Sequence, residues 1–272
     1  MDYSAIHTVS LLAEDFARSG LQAGQTVLVH ASLRKIGGWI CGGPEAVVLA
    51  LMQVLGEDGT LVMPTQTNTN TDPQFWNAPP VPESWWPIIR AERPPYDPAT
   101  SATVQMGVLA EAFRTRPGVL RSAHPVASFA AWGRHARFVI HPHPYEDMFG
   151  EQSPLARLYA LDARVFFLGT GHDTNTCLHL AEERAQYAGK MRIEEESTVL
   201  LEGRRRNVRY TILDYDSDDF HRLGADYESE GHPVRYGHVG QAVTRLFPMR
   251  ALVDYGVTWI ETRRGKPTSS NP

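Results

Sequence analysis

The chain has 272 residues, of which 42% are hydrophobic and 21% charged, with a formal charge of −5. That balance suits one large domain or two small ones with a sizeable core, and it argues against global disorder and against the basic face a nucleic-acid partner favours. No run of eighteen apolar residues occurs, so no membrane span is expected.

Met1-Asp2-Tyr3-Ser4 carries neither a basic n-region nor an apolar h-region, so no secretion signal is expected. The two cysteines, Cys41 and Cys177, form no framework and no metal spacing, which fits a reducing cytoplasm.

The first expected element is an amphipathic helix over 4–18, followed by a buried strand over 26–30. A helix over 44–55 places Pro44 at its first position and carries Val47, Val48, Leu51, Met52 and Leu55 on its apolar set. Gly56-Glu57-Asp58-Gly59 turns the chain into a strand over 60–64. This strand–helix–strand order predicts a parallel pair and an α/β architecture. Residues 65–101 hold eight prolines and three tryptophans and show no period. They read as a long loop or lid whose aromatics pack against something.

A helix is expected over 103–115, stopped by Pro117-Gly118, then a strand over 126–132. Ser153 caps a short helix with Pro154 in its first turn. Residues 197–201 and 207–215 read as an antiparallel hairpin around Glu202-Gly203, with Val208, Tyr210, Ile212, Asp214 and Asp216 on one face. Residues 241–261 read as a final helical region interrupted at Pro248, and 263–272 as a disordered tail. The fold expected is α/β: a single domain over 1–262, with a mixed, mainly parallel central sheet flanked by helices, plus the hairpin and the long loop.

Chemistry concentrates between Arg164 and Glu183. Arg164-Val165-Phe166-Phe167-Leu168 is a buried strand, Gly169-Thr170-Gly171 turns it, and a helix begins before His179. Strand ends of this kind aim side chains into a crevice. Leu178, Ala181 and Ala185 share the apolar face, while His179 shares its face with Glu182, Glu183 and Gln186. There a carboxylate holds the imidazole tautomer and raises its basicity; a partly exposed surface histidine is the competing reading.

Ala31-Ser32-Leu33-Arg34-Lys35-Ile36-Gly37-Gly38 follows a strand with a hydroxyl, two cations and two glycines, the ingredients of an anion nest or of a solvated basic loop. Arg121-Ser122-Ala123-His124-Pro125 is a similar polar turn, with His124 read as a hydrogen-bonded loop histidine. His141, His143 and His172 supply possible metal ligands, but without HExxH or a cysteine pair no metal is expected. Cys177 and His179, two apart on a helix, point about 200° apart and do not pair as nucleophile and base.

Together the segments Val27-Leu28-Val29-His30-Ala31-Ser32-Leu33, Gly42-Gly43-Pro44-Glu45-Ala46-Val47, Gly59-Thr60-Leu61-Val62-Met63-Pro64-Thr65, Tyr96-Asp97-Pro98-Ala99-Thr100-Ser101, Arg121-Ser122-Ala123-His124-Pro125, Ser153-Pro154-Leu155-Ala156 and Leu168 through Glu182 resemble the aminoglycoside N3-acetyltransferase family. The resemblance implies acetyl-CoA as cosubstrate and the 3-amino group of a 2-deoxystreptamine ring as acceptor, hence antibiotic resistance. It implies His179 as catalytic base with Asp214 or Asp216 as its carboxylate. It implies a CoA pocket drawn from His30, Ser32, Leu33, Ile36, Gly37, Thr65, Arg121, Ser122, His124, Pro125 and Ser128, with Arg34, Lys35 and Arg121 as its basic channel. Asp72, Glu182, Asp214 and Asp216 are expected to pair with substrate ammonium groups, and 65–101 to lie on the acceptor side. Ala31 stands where the family often has serine. A monomer or homodimer is expected. The competing functions are acetyl transfer to another primary amine (an aminophosphonate or amino-sugar intermediate), a metal-dependent hydrolase, and a non-catalytic CoA- or drug-binding protein.

Overall fold

Apolar strands that run hydrophobic on both faces call for layers on both sides, and the structure supplies them. A computed structural model describes residues 5–77 and 79–265. The first elements are β1 (Ile6–His7), α1 (Val9–Arg18), β2 (Thr26–Ala31), β3 (Trp39–Ile40), α2 (Gly43–Leu55) and β4 (Thr60–Pro64). Then come α3 (Trp86–Glu92), α4 (Gly107–Arg114), β5 (Leu120–Arg121), β6 (Phe129–Gly133), α5 (Ala136–Ile140), α6 (Pro154–Ala160) and β7 (Arg164–Leu168). The chain finishes with α7 (Leu178–Arg184), β8 (Arg192–Leu201), β9 (Arg204–Leu213), α8 (Phe220–Ser229), β10 (Arg235–Val239), β11 (Ala242–Pro248) and α9 (Met249–Arg263).

Seven strands form the central sheet in the order β10-β11-β7-β2-β4-β6-β5. β2 pairs parallel with β4 and with β7, while β4–β6, β5–β6, β7–β11 and β10–β11 are antiparallel. The expected mixed sheet is present, with its parallel part confined to the three central strands. Alternation along them splits the core. Val27, Val29, Phe166 and Leu168 join α1, α2 and α4 on one face. Leu28, Val165 and Phe167 join α6, α7, α8 and α9 on the other. The β8–β9 hairpin stands apart as its own two-stranded sheet.

Local chemistry sets the helix ends. The Thr8 hydroxyl accepts the Leu11 amide at 3.3 Å, so α1 starts at Val9; of the longer helix expected there, Ile6–His7 is instead a strand and residue 4 lies outside the described residues. Ser153 accepts from the Leu155 amide at 3.2 Å ahead of Pro154. Four expectations are corrected. The strand over 126–132 begins at Phe129, the helix over 103–115 begins at Gly107, and the hairpin's first strand begins at Arg192. Ala242–Pro248 is not helical: it is β11, hydrogen-bonded on both sides.

The long loop is docked rather than free. The Asn70 side chain donates to Thr198 O at 2.9 Å and accepts from Thr198 N at 3.0 Å, and the Tyr96 amide donates to Thr198 O at 2.8 Å. The Arg93 guanidinium spans Thr198 Oγ1 at 2.8 Å, Thr71 O at 2.6 Å and Glu196 O at 2.6 Å. The tail assignment also shifts. Arg263 closes α9 and Arg264 is packed inward, while the remaining 266–272 lie outside the described residues.

Candidate active site

The carboxyl ends of β2, β4 and β7 open into a cleft of about 390 Å³, lined by His30, Met63, Gln66, Gln105, Thr170, Asp173, Asn175, Thr176, His179 and Phe220 among others. Ligands of open α/β sheets bind at such strand ends. Gly169 makes the turn above β7. Its φ is +66°, and a Cβ there would sit 2.5 Å from Lys35 Cβ, so neither the backbone nor the space admits a side chain.

His179 stands in the first turn of α7, and Glu182 follows one turn later on the same face. Nδ1 of His179 donates to Glu182 Oε2 at 2.9 Å. The proton is thereby fixed on Nδ1 and the lone pair left on Nε2. Glu182 is fully buried. Its Oε1 accepts from the Asp216 amide at 2.9 Å, Arg264 Nη1 at 2.7 Å and Tyr187 Oη at 3.3 Å. Burial alone would push this carboxyl up, but the bonds from His179, the Asp216 amide and Arg264 outweigh it and hold it below its ordinary value. The imidazole is clamped flat on Phe149, with centroids 4.8 Å and planes 11° apart, and edged by Tyr215 and Phe220.

The carboxylate on His179 is therefore Glu182, and the assignment of Asp214 or Asp216 to that position is corrected. The hairpin strand ends at Leu213, so both aspartates fall on an exposed connection, and Asp216 reaches the site through its backbone N–H. Glu182 is likewise unavailable to a substrate ammonium, because its oxygens are all engaged in the interior. Asp72 is held by Arg90 through two bonds of 2.7 and 2.8 Å and does not line the cleft. Asp173 does line it, exposed at its edge.

Among the residues expected at CoA, His30 lines the cleft. Burial first, then the neighbouring His172, brings its pKa down to about 3, so the ring is neutral. Ser32 follows β2, its amide bonded to Leu168 O at 2.8 Å, and Leu33, Arg34, Lys35 and Ile36 form a single 3-10 turn with Gly37 at its end. Arg34 and Lys35 are exposed. Arg121 is turned inward: it donates to Thr65 Oγ1 at 3.2 Å, Thr65 O at 2.6 Å and Ser128 Oγ at 3.1 Å, and lies over the Tyr96 ring. It is a clasp between loop and sheet rather than part of an open basic channel.

Ser122 and His124 belong to a second buried network. His124 Nδ1 accepts the Val126 and Ala127 amides, and Ser122 Oγ meets His143 Nδ1 at 3.0 Å. The Pro125 carbonyl accepts from the Thr67 hydroxyl. Burial lowers both histidines, His124 to about 4. His143 and His172 are thus committed to separate internal partners. Among the described residues no three His, Cys, Asp or Glu side chains group as metal ligands. Cys177 is buried, which raises its thiol well above the ordinary value and leaves it a poor nucleophile.

This geometry matches a known group of proteins over nearly its whole length. The family model described as aminoglycoside 3-N-acetyltransferase matches residues 28–261. The chain belongs to that family. It is 42% identical over 253 residues to the SPbeta prophage-derived aminoglycoside N(3')-acetyltransferase-like protein YokD of Bacillus subtilis (strain 168), covering 93% of this chain and 92% of that protein. The crystal structure of YokD superposes with a TM-score of 0.93 at 40% identity, covering 99% of this chain and 97% of the other. Aminoglycoside N(3)-acetyltransferase VII of Streptomyces paromomycinus is 39% identical over 275 residues, covering 95% and 93%. The structure of AAC-IIIb as a binary complex with CoASH superposes at 0.86 with 32% identity, covering 97% and 100%. The chain is accordingly an acyltransferase of the aminoglycoside 3-N-acetyltransferase family. None of its helices is long and apolar enough to cross a membrane, among the described residues.

Two parts of the site carry no local sequence signal: Arg264, which lies in the stretch expected to be a tail, and the Phe149–Tyr215–Phe220 enclosure. Glu182, expected to pair with substrate, is instead the partner of His179 on the face it was expected to share. The His-x-x-Glu spacing of His179 and Glu182 was the legible clue.

Proposed function

We propose that this acetyltransferase moves the acetyl group of acetyl-CoA directly to the 3-amino group of a 2-deoxystreptamine aminoglycoside, with His179 as general base and Glu182 as its orienting carboxylate. The observation that carries the reading is the His179–Glu182 pair, buried on one side and opening on the strand-end cleft on the other. An amine attacks a thioester only through its lone pair. As the C–N bond forms, His179 Nε2 takes one amine proton; as the C–S bond breaks, the electron pair leaves on sulfur, and the imidazolium returns the proton to that thiolate. Glu182 stabilises the transient imidazolium at 2.9 Å. A base so placed is typically worth about 10²–10⁴-fold, and the rest comes from holding both substrates together. The CoASH bound by AAC-IIIb and the acceptor named for the relatives support the two substrates.

The turn at Ser32–Gly37, with exposed Arg34 and Lys35, offers the pyrophosphate side. Asp173 offers an ammonium partner at the cleft edge.

The test is His179→Ala, with CoA affinity measured by calorimetry and acetylation by thiol release on kanamycin and gentamicin. The expected result is unchanged CoA binding with turnover lost by 10²-fold or more, on the order expected of a missing base. Turnover within about threefold of the parent removes His179 from the mechanism.

A further inference from the structure

Asn175 follows the turn at His172–Thr174 and is 1% exposed. Behind it runs a chain of hydrogen bonds. Asn175 Nδ2 lies 3.3 Å from His172 Nδ1, and His172 Nε2 lies 3.0 Å from Glu228 Oε1. Glu228 itself sits between Tyr236 Oη, which donates to it at 2.6 Å, and Arg245 Nε at 3.3 Å. A carboxylate so placed is an acceptor toward His172. Burial outweighs the pull of Glu228 and lowers the His172 pKa, so the ring is neutral and carries one proton. Glu228 claims that proton on Nε2. Nδ1 is then an acceptor, and it takes an N–H of Asn175. The direction of the whole chain fixes the amide: Nδ2 points back to His172, and Oδ1 is the atom left over. That oxygen is buried and meets no donor among the described residues. Buried acceptors are almost always paired. Asn175 lines the same cleft as His179.

We propose that Asn175 Oδ1 accepts an N–H of the attacking amine, making Asn175 a second substrate-binding group of the transfer site, with His172 and Glu228 as its positioning residues. The assignment rests on His179 being the base. A neutral primary amine has two N–H bonds and one lone pair. His179 removes one proton as the C–N bond forms. Asn175 holds the other, which stays on nitrogen and becomes the N–H of the product amide. With both N–H bonds engaged, the lone pair is aimed at the thioester carbon. A secondary amine has one N–H, which His179 needs, so it leaves Oδ1 unmatched. Sites built to bond a substrate N–H reject analogues that lack it. The site therefore selects primary amines on hydrogen-bonding grounds as well as on size.

The experiment compares the parent, Asn175→Ala and His179→Ala on a primary-amine acceptor and its N-methyl analogue at the reacting position, with the His172 tautomer of the parent read from ¹⁵N chemical shifts. The expected result for Asn175→Ala is a fall in kcat/KM of about tenfold to a hundredfold on the primary amine, with the KM for acetyl-CoA unchanged and the preference for the primary amine reduced to near parity. His172 is expected to carry its proton on Nε2. A parental preference ratio in Asn175→Ala, or a proton on His172 Nδ1, overturns the assignment. Should His179→Ala stay active, the base reading itself falls; an inactive His179→Ala beside an unaltered ratio in Asn175→Ala removes the Asn175 assignment alone.

Discussion

Replacing Glu182 with glutamine keeps the shape of the buried group and removes its charge. Its Oε1 position faces Arg264, Tyr187 and the Asp216 amide, all donors, so the new amide oxygen settles there. The amide NH₂ is then forced toward His179 Nδ1, where Glu182 Oε2 now accepts at 2.9 Å. A donor at that place requires Nδ1 to be the lone pair and moves the ring proton to Nε2, the atom that receives the amine proton in the proposed transfer. On that mechanism the base is blocked by its own tautomer. The analogous carboxylate-to-amide exchange in serine proteases lowers kcat by about 10⁴, and we expect a loss of 10²–10⁴-fold, on the order of a general base's whole contribution.

Stability should suffer far less. Arg264 keeps Asp219 at 2.6 and 2.9 Å and Asp216 O at 2.7 Å, so one charge-assisted bond of about 1.5–3 kcal/mol is weakened rather than a charge stranded. That corresponds to a fall in Tm of several degrees, on the order of 2–4 °C per kcal/mol for chains of this class. Thiol release and differential scanning calorimetry on the same preparation separate the two effects. Turnover within about threefold of the parent, with Tm lowered as expected, would refute the orienting role.

Three other perturbations have worked directions. Gly224→Ala in α8 would ordinarily gain about 1 kcal/mol of helix propensity, but its Cβ would stand 1.9 Å from His172 Cγ; Tm should fall, and a rise would contradict the packing described. Arg93→Met should release the 65–101 loop, since three bonds from a buried guanidinium vanish and leave two carbonyls unmatched, a loss of ~3 kcal/mol or more; limited proteolysis inside 65–101 should accelerate, and unchanged cleavage would show that the loop is held elsewhere. Acidification should destabilise the fold: His30 at about 3 and His124 at about 4, with His143 and His172 also lowered, are neutral when folded but protonate near 6.5 when unfolded. The unfolded chain thus binds more protons below pH 6.5, and stability drops as pH falls from there toward 4. Glu195, raised by burial to about 7, works in the opposite sense between pH 7 and 4.5, one group against four; a Tm that stays flat from pH 7 to 4.5 would show that the histidines are not buried neutral.

Elements whose pattern is strong and local were legible. Thr60–Pro64 is an apolar run that follows the turn glycines Gly56 and Gly59, and Gly43–Leu55 repeats its apolar residues with a proline at its start. Leu178, Ala181 and Ala185 mark the buried face of α7 and so place His179 on the other. Ala242–Pro248 was illegible for a physical reason. It is a short strand joined without a loop to the helix that begins at Met249, so the helical period runs back across the boundary. Arg192–Glu196 hid for a different one: three consecutive glutamates read as surface, yet Glu195 and Glu196 are buried because two amides, Asn207 and Arg209 satisfy them. At the site, the histidine and its i+3 glutamate were visible in the spacing. The charge that completes Glu182 comes from Arg264, 82 positions downstream, and no local pattern announces such a contact.

That distance in sequence has a bearing on how the enzyme comes into being. A ribosome releases His179 and Glu182 well before the end of α9, so the nascent chain carries both members of the dyad while the clasp from Arg264 is still unsynthesised. Until the closing helix seats, the buried Glu182 lacks the cation that offsets the cost of its burial. On the proposed mechanism acetyl transfer depends on that helix being seated, and a fusion that displaces it is expected to lower turnover through Glu182.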